Sequence, residues 1–277
     1  MTETDNSFFL PGDRRGVLLV HGLTGTPSEM RFVGKGLHRA GFTVAGMQIV
    51  GHCGDETDLA RTNWPDWYAS VDAACDRLLK HCDTLFIAGL SMGAMLGVLA
   101  AARRRDVSGL ALYSPTLWHD GWSVPRTRHL LPFVLSLPGS NRFSVREQYP
   151  FGVKDERLRR RLVMQMVDGN SASAGLFRMP FKVLREIRKI SSETRRCLST
   201  VTTPTLILHA IEDDVASLRN PRYLAGHLRG PVKTMYLDDS YHMITIDRQR
   251  DQVIRATIDY FNELSPPGVG VVSRIAS

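Results

Sequence analysis

Cysteine is scarce in this chain, with four in 277 residues: Cys53, Cys75, Cys82 and Cys197. No two of them form a Cys-x-x-Cys pair or a metal-ligand spacing. That excludes a small disulfide-stapled domain and a cysteine-built metal centre, and it fits thiols in a reducing compartment. Long apolar runs are missing too, and no stretch reaches the roughly 20 residues that a membrane-spanning helix needs. The opening Met1-Thr2-Glu3-Thr4-Asp5-Asn6 lacks the basic start and apolar stretch of a secretory leader, so a cytoplasmic location is expected. No nucleic-acid-binding motif is found, so nucleic acid is not expected as a partner.

What the chain does have is an uneven charge. The formal net charge is +7. Between Lys154 and Arg196 stand twelve Lys or Arg against five Asp or Glu, so this segment carries the whole excess and the remainder is neutral. A solvated helix face is the plain reading. Weak contact with an anionic lipid surface is the functional one.

Short apolar runs alternate with amphipathic stretches. Gly16-Val17-Leu18-Leu19-Val20 reads as a buried strand. It is followed by a helix start at Thr26-Pro27-Ser28-Glu29, with Thr26 as cap and Glu29 closing a capping box. Strands are expected at 42–49, 85–88, 110–113, 205–209 and 233–237. Helices are expected at 30–40, 64–79, 221–228 and 248–264, with a loose or extended tail from Ser265. This rhythm predicts an α/β fold with a mostly parallel sheet covered by helices on both faces. Residues 116–202 break it with two amphipathic helical patterns, one through Leu158 and Leu162, the other through Phe181, Leu184, Ile187 and Ile190. They are expected to form an inserted helical cap over the carboxyl ends of the strands, on a core made of 1–115 and 203–277.

The chemistry centres on Gly89-Leu90-Ser91-Met92-Gly93, between an apolar strand and a small-residue helix. A serine at such a turn has its hydroxyl exposed, and the next N–H lies at a helix start where it can bind an oxyanion. Serine needs a base, and the base needs an orienting acid. His242, in a loop between a late strand and the last helix, is the expected base. Asp213 is the expected acid, with Asp214 as alternative. Leu23, in His21-Gly22-Leu23-Thr24-Gly25, and Met92 are the expected backbone donors to the oxyanion. His21 reads as shaping that loop, and His52, His209 and His227 read as structural. No metal and no cofactor is implied.

These residues, together with Gly51-His52 and the Trp64-Pro65-Asp66-Trp67 helix start, resemble the α/β-hydrolase superfamily, and more narrowly its small bacterial carboxylesterases and monoacylglycerol lipase-like serine hydrolases. The resemblance covers roughly 14–115 and 203–264. It implies hydrolysis of a carboxylic ester through an acyl-enzyme. Two positions depart from the family pattern: Cys53, where glycine is usual, and Ala94, where a further glycine is common. A small-molecule ester with an apolar acyl group is expected to sit among Trp118, Trp122, Leu131 and Phe133. Lactones, thioesters, acyl transfer to an alcohol and a non-catalytic binder share the same residues and stay open.

Overall fold

The computed structural model describes residues 5–146, 148–167, 176 and 178–267. Seven strands form one sheet in the order β1-β3-β2-β4-β5-β8-β9. They are β1 (Phe8–Leu10), β2 (Arg15–Val20), β3 (Thr43–Met47), β4 (Thr84–Leu90), β5 (Val107–Tyr113), β8 (Thr205–Ala210) and β9 (Val232–Leu237). All neighbours are parallel except β1, which runs antiparallel along the edge on β3. The predicted mostly parallel sheet is therefore present. The edge strand β1 is too short to have given an alternating pattern.

Both faces of the sheet are buried, and the period-two alternation sorts the side chains between two cores. Leu18, Val20, Leu85, Ile87, Leu110 and Leu112 face the layer containing α3 (Trp64–Leu79) and α4 (Met92–Arg103). Val17, Leu19, Phe86, Ala88, Ala111 and Tyr113 face the layer containing α1 (Arg31–Arg39) and α9 (Arg250–Leu264). At about 1.5–3 kcal/mol per fully buried large apolar side chain, this double-sided burial is the main term holding the strands in register.

Residues 27–30 form a 3-10 turn before α1 rather than one continuous helix, and the expected capping box is not closed. Thr26 caps Ser28 N, but Glu29 Oε2 accepts from Gly22 N at 3.4 Å and is drawn back under the His21–Gly25 loop. A short α2 (Glu56–Arg61), capped by Asp55, also escaped the sequence reading. The helix expected at 64–79 is present at those bounds, opened by an Asn63 cap and Pro65.

The chain between β5 and β8 contains α5 (Leu131–Ser136), a two-stranded ribbon of β6 (Ser144–Arg146) and β7 (Arg178–Pro180), α6 (Glu156–Val167) and α7 (Phe181–Cys197). After β8 come α8 (Arg219–His227), β9 and α9. The tail from Gly268 onward lies outside the described residues. Among the described residues no helix is long and apolar enough to cross a membrane.

Candidate active site

Strand order fixes the place of the site. β2 and β4 are adjacent and parallel, with Val20 opposite Gly89. The chain turns outward from these two strands in opposite directions, which opens a crevice at their carboxyl ends. The loop after β2 carries Leu23, and the turn after β4 carries Ser91.

Ser91 has φ 55° and ψ −111°, a conformation rarely taken by a residue with a side chain. Strain of this kind costs about 1–3 kcal/mol and is held by surrounding packing. The two flanking glycines allow the packing. A Cβ on Gly89 would lie 2.3 Å from the Gly93 backbone, and one on Gly93 would lie 2.3 Å from the Val20 carbonyl oxygen. The Ser91 N–H donates to Tyr113 O at 2.9 Å. Its hydroxyl is half-buried and donates to Thr116 Oγ1 at 3.2 Å, and that hydroxyl in turn donates to Ser114 O at 3.0 Å.

Asp213 and His242 come from loops after β8 and β9. His242 Nδ1 lies 3.0 and 2.8 Å from the two carboxylate oxygens of Asp213. Asp213 Oδ1 also accepts the Val215 and Ala216 N–H groups, at 2.9 and 2.7 Å. Burial raises the pKa of this carboxyl. His242, His209 and the Ala216 N–H act against burial and leave it below the ordinary aspartate value, so Asp213 is ionised. Asp214 has a different environment. Its oxygens accept from Gly152 N at 3.0 Å and His242 N at 3.3 Å, and burial pushes its pKa up. Asp213 thus meets the imidazole, and Asp214 holds the backbone of the loop that carries it. Asp247 adds to that hold by accepting from Tyr241 N at 2.9 Å and Lys154 N at 2.8 Å.

The other histidines separate by environment. His21 is fully buried, with Nδ1 2.8 Å from Gly22 O and Nε2 accepting Ile49 N at 3.1 Å. Burial, with His52 beside it, lowers its pKa to about 3. His52 packs edge-on to Trp67 and is lowered to about 4, chiefly by burial. Both are neutral props of their loops. His209 Nε2–H donates to Ala216 O at 2.8 Å and steadies the Asp213 turn. His227 is exposed and stacks on Tyr223. Cys53 takes φ 70°, so the left-handed turn that glycine usually supplies is kept with a side chain.

A cavity of about 1010 Å³ is lined by Leu23, Ser91 and His242 and roofed by residues from α5, α6 and α7. Adjoining it, a small recess is bounded by residues that include Leu23, Ser91, Met92, Thr116, His119 and Ile187. The two residues expected to donate to an oxyanion therefore meet at the serine. Met92 is the first residue of α4, so its N–H has no helical acceptor.

Trp118 and Leu131 line the cavity. Trp122 and Phe133 do not, and the expectation for them is corrected. Trp122 is 59% exposed, with its Nε1 donating to Glu212 O and its ring against Tyr241; Phe133 is 68% exposed. Being apolar and in the right segment was not enough, because both side chains turn toward solvent. Leu130, Leu184, Leu158 and Leu162 line the cavity instead.

Sequence reasoning missed Thr116 and His119. Neither belongs to a motif, and only the fold brings them beside Ser91. Burial, with His242 nearby, lowers the pKa of His119 to about 4, so it is neutral. Cationic groups line the cavity as well: Arg146, Arg188, Arg195 and Arg219.

Residues 12–249 match the Hydrolase_4 family, described as serine aminopeptidase, S33. The chain belongs to this family of hydrolases. A thermostable monoacylglycerol lipase of Bacillus sp. strain H-257 is 27% identical to it over 256 residues, covering 92% of this chain and 93% of the relative. A carboxylesterase of Bacillus subtilis is 20% identical, covering 94% and 98%. Among solved structures, one from the metagenome-derived lipolytic enzymes LipS and LipT superposes with a TM-score of 0.79 at 26% identity, covering 93% of this chain and 97% of that one. The chain's fold is the α/β-hydrolase fold, as expected from the sequence.

Proposed function

We propose that the protein hydrolyses carboxylic esters of small molecules, with Ser91 as nucleophile, His242 as base and then acid, and Asp213 as the group that orients His242. The observation that carries this reading is that the His242 imidazole, fixed through Nδ1 by an ionised Asp213, borders the same cavity as Ser91. With Nδ1 protonated and bound to Asp213, Nε2 is an acceptor and can take the serine proton.

Ser91 Oγ attacks the acyl carbonyl while its proton moves to His242. The oxyanion that forms is stabilised by the N–H groups of Leu23 and Met92, each typically worth about 2.7–4 kcal/mol in the barrier. His242 then protonates the departing alcohol, and water enters and releases the acyl group by the same steps.

Relatives named monoacylglycerol lipase and carboxylesterase support ester rather than peptide chemistry. The cavity's charge supports it too, because an aminopeptidase must hold a substrate ammonium and four arginines line this space. The acyl group is read as apolar, since leucines and phenylalanine dominate the roof. Residues 116–202 are read as its cap, and their basic face as weakly attracted to anionic lipid.

Hydrolysis of p-nitrophenyl esters from acetate to palmitate tests the reading. A preference for a medium or long chain is expected. Activity on none of them, with amino-acid p-nitroanilides cleaved instead, would overturn it.

A further inference from the structure

The cavity is not uniform along its length. Helix α7 crosses it and contributes, in order, Phe181, Leu184, Ile187, Arg188, Ser191 and Arg195. At 1.5 Å per residue, Phe181 and Arg195 are about 21 Å apart along the helix axis. Ile187 lies between them and also borders the recess that holds Ser91. The serine therefore faces the middle of the helix, with an apolar half toward Phe181 and a cationic half toward Arg195.

The largely apolar half is completed by the β6–β7 ribbon, whose facing residues Val145 and Met179 both line the cavity; Arg146, the exposed last residue of β6, borders it as well. The cationic half is built around Trp118. The Arg219 guanidinium lies 3.9 Å from the Trp118 ring centre, and that of Arg195 lies 5.6 Å from it. Two like charges share one indole, and among the described residues neither has a carboxylate partner; nor does Arg188. Cation–π contact fixes their positions without neutralising them. The two carboxylates that also line the cavity are turned to other donors. Asp120 Oδ1 accepts Ser217 N and Asn220 Nδ2, each at 2.9 Å, and Glu29 reaches Gly22 N.

We propose that this end of the cavity is a subsite for an anionic group, a phosphate or a carboxylate, on the alcohol portion of the ester. The inference rests on the ester-hydrolase reading above. The acyl chain fills the apolar half, the carbonyl meets Ser91, and the alcohol lies toward Arg195 and Arg219. Guanidinium forks suit either oxyanion, because each offers parallel N–H donors to paired oxygens. The reaction stays a hydrolysis: the acyl C–O bond breaks, and the anionic alcohol leaves with the proton from His242.

Three soluble esters with the same hexanoyl chain test this: 1-hexanoylglycerol, its 3-phosphate, and the hexanoyl ester of glycerate. At least a tenfold higher kcat/KM is expected for one or both anionic esters, and which of them is preferred identifies the anion. In the R195Q/R219Q double variant, the ratio of anionic to neutral kcat/KM should fall to within twofold of unity. Equal kcat/KM for all three, or a preference that survives the double substitution, overturns the subsite. Calorimetry on the S91A protein separates this from the chemistry. Glycerol 3-phosphate or glycerate should bind at least tenfold more weakly when both arginines are replaced. Arginine-dependent binding without turnover of any ester would uphold the subsite and overturn the ester reading. If no ester is turned over, absence of arginine-dependent binding would overturn the subsite.

Discussion

Replacing Asp213 by asparagine changes one atom, and the structure says where that atom goes. Asp213 Oδ1 accepts two backbone N–H groups, from Val215 at 2.9 Å and Ala216 at 2.7 Å. Those donors need an oxygen, so the asparagine carbonyl takes the Oδ1 place and its NH₂ takes the Oδ2 place. That nitrogen then lies about where Oδ2 now meets His242 Nδ1, at 2.8 Å. It can only donate there, so Nδ1 must become the acceptor and the imidazole proton moves to Nε2. A protonated Nε2 cannot take the serine proton. The expected loss in kcat is about 10⁴-fold, or roughly 5 kcal/mol at 1.36 kcal/mol per decade. The fold should persist, because every backbone bond to the side chain is kept. Asp214→Asn is the control. It places an NH₂ against either Gly152 N–H or His242 N–H, which costs about 1–3 kcal/mol in stability and leaves the tautomer alone. The assay is steady-state ester hydrolysis beside thermal unfolding for both variants. A loss below tenfold for Asp213→Asn, or a larger loss in kcat for Asp214→Asn, would refute the reasoning.

Gly93→Ala places a Cβ 2.3 Å from the Val20 carbonyl oxygen and should cost about 1–3 kcal/mol, whereas Gly97→Ala, whose nearest contact is 3.3 Å to the Ile87 Cγ2 methyl, should cost clearly less; equal melting temperatures for the two would contradict this. Leu184→Trp should shift the preferred acyl chain to shorter lengths, since Leu184 lines the apolar half of the cavity; an unchanged chain-length profile in ester hydrolysis would count against that assignment. Acid should destabilise the protein well above the carboxylate range. His21 and His52 have folded pKa values of about 3 and 4 against about 6.5 unfolded. Between those limits the unfolded chain binds more protons. Their contribution is therefore complete above pH 6.5 and is lost as pH falls toward 4, at roughly 2–3 kcal/mol per pH unit near pH 5. Asp214, raised by burial, opposes this as a single group. Denaturant unfolding from pH 7 to 5 that gives a flat stability would contradict it.

The turn that carries Ser91 was legible in the sequence because its causes are local. Two glycines, a preceding apolar run and a following small-residue helix are each a requirement of the close approach that the structure displays at Gly89 and Gly93. The sheet was legible because strands buried on both faces read as short continuous apolar runs. Asp213 and Asp214 could not be separated with certainty from the sequence. Which of two adjacent carboxylates meets the imidazole depends on a turn closed by Val215 and Ala216 N–H groups. Thr116 and His119 left no signal, because they reach Ser91 only through the packing of β5 beside β4. Trp122 and Phe133 were misassigned for the complementary reason. Hydrophobicity marks what can line a cavity, but which way a side chain turns is set by tertiary contacts such as Trp122 with Tyr241. The basic character of 154–196 was legible as composition. That two guanidiniums gather on Trp118, one of them from outside that segment, was not.

The central claim is that Ser91 is an activated nucleophile. Reaction with a fluorophosphonate, followed by mass spectrometry of the digested protein, tests it most directly. The account predicts one covalent adduct, on Ser91, with labelling and p-nitrophenyl ester hydrolysis both abolished in Ser91→Ala. An unlabelled Ser91 in folded protein, or ester hydrolysis that survives in Ser91→Ala, would contradict it.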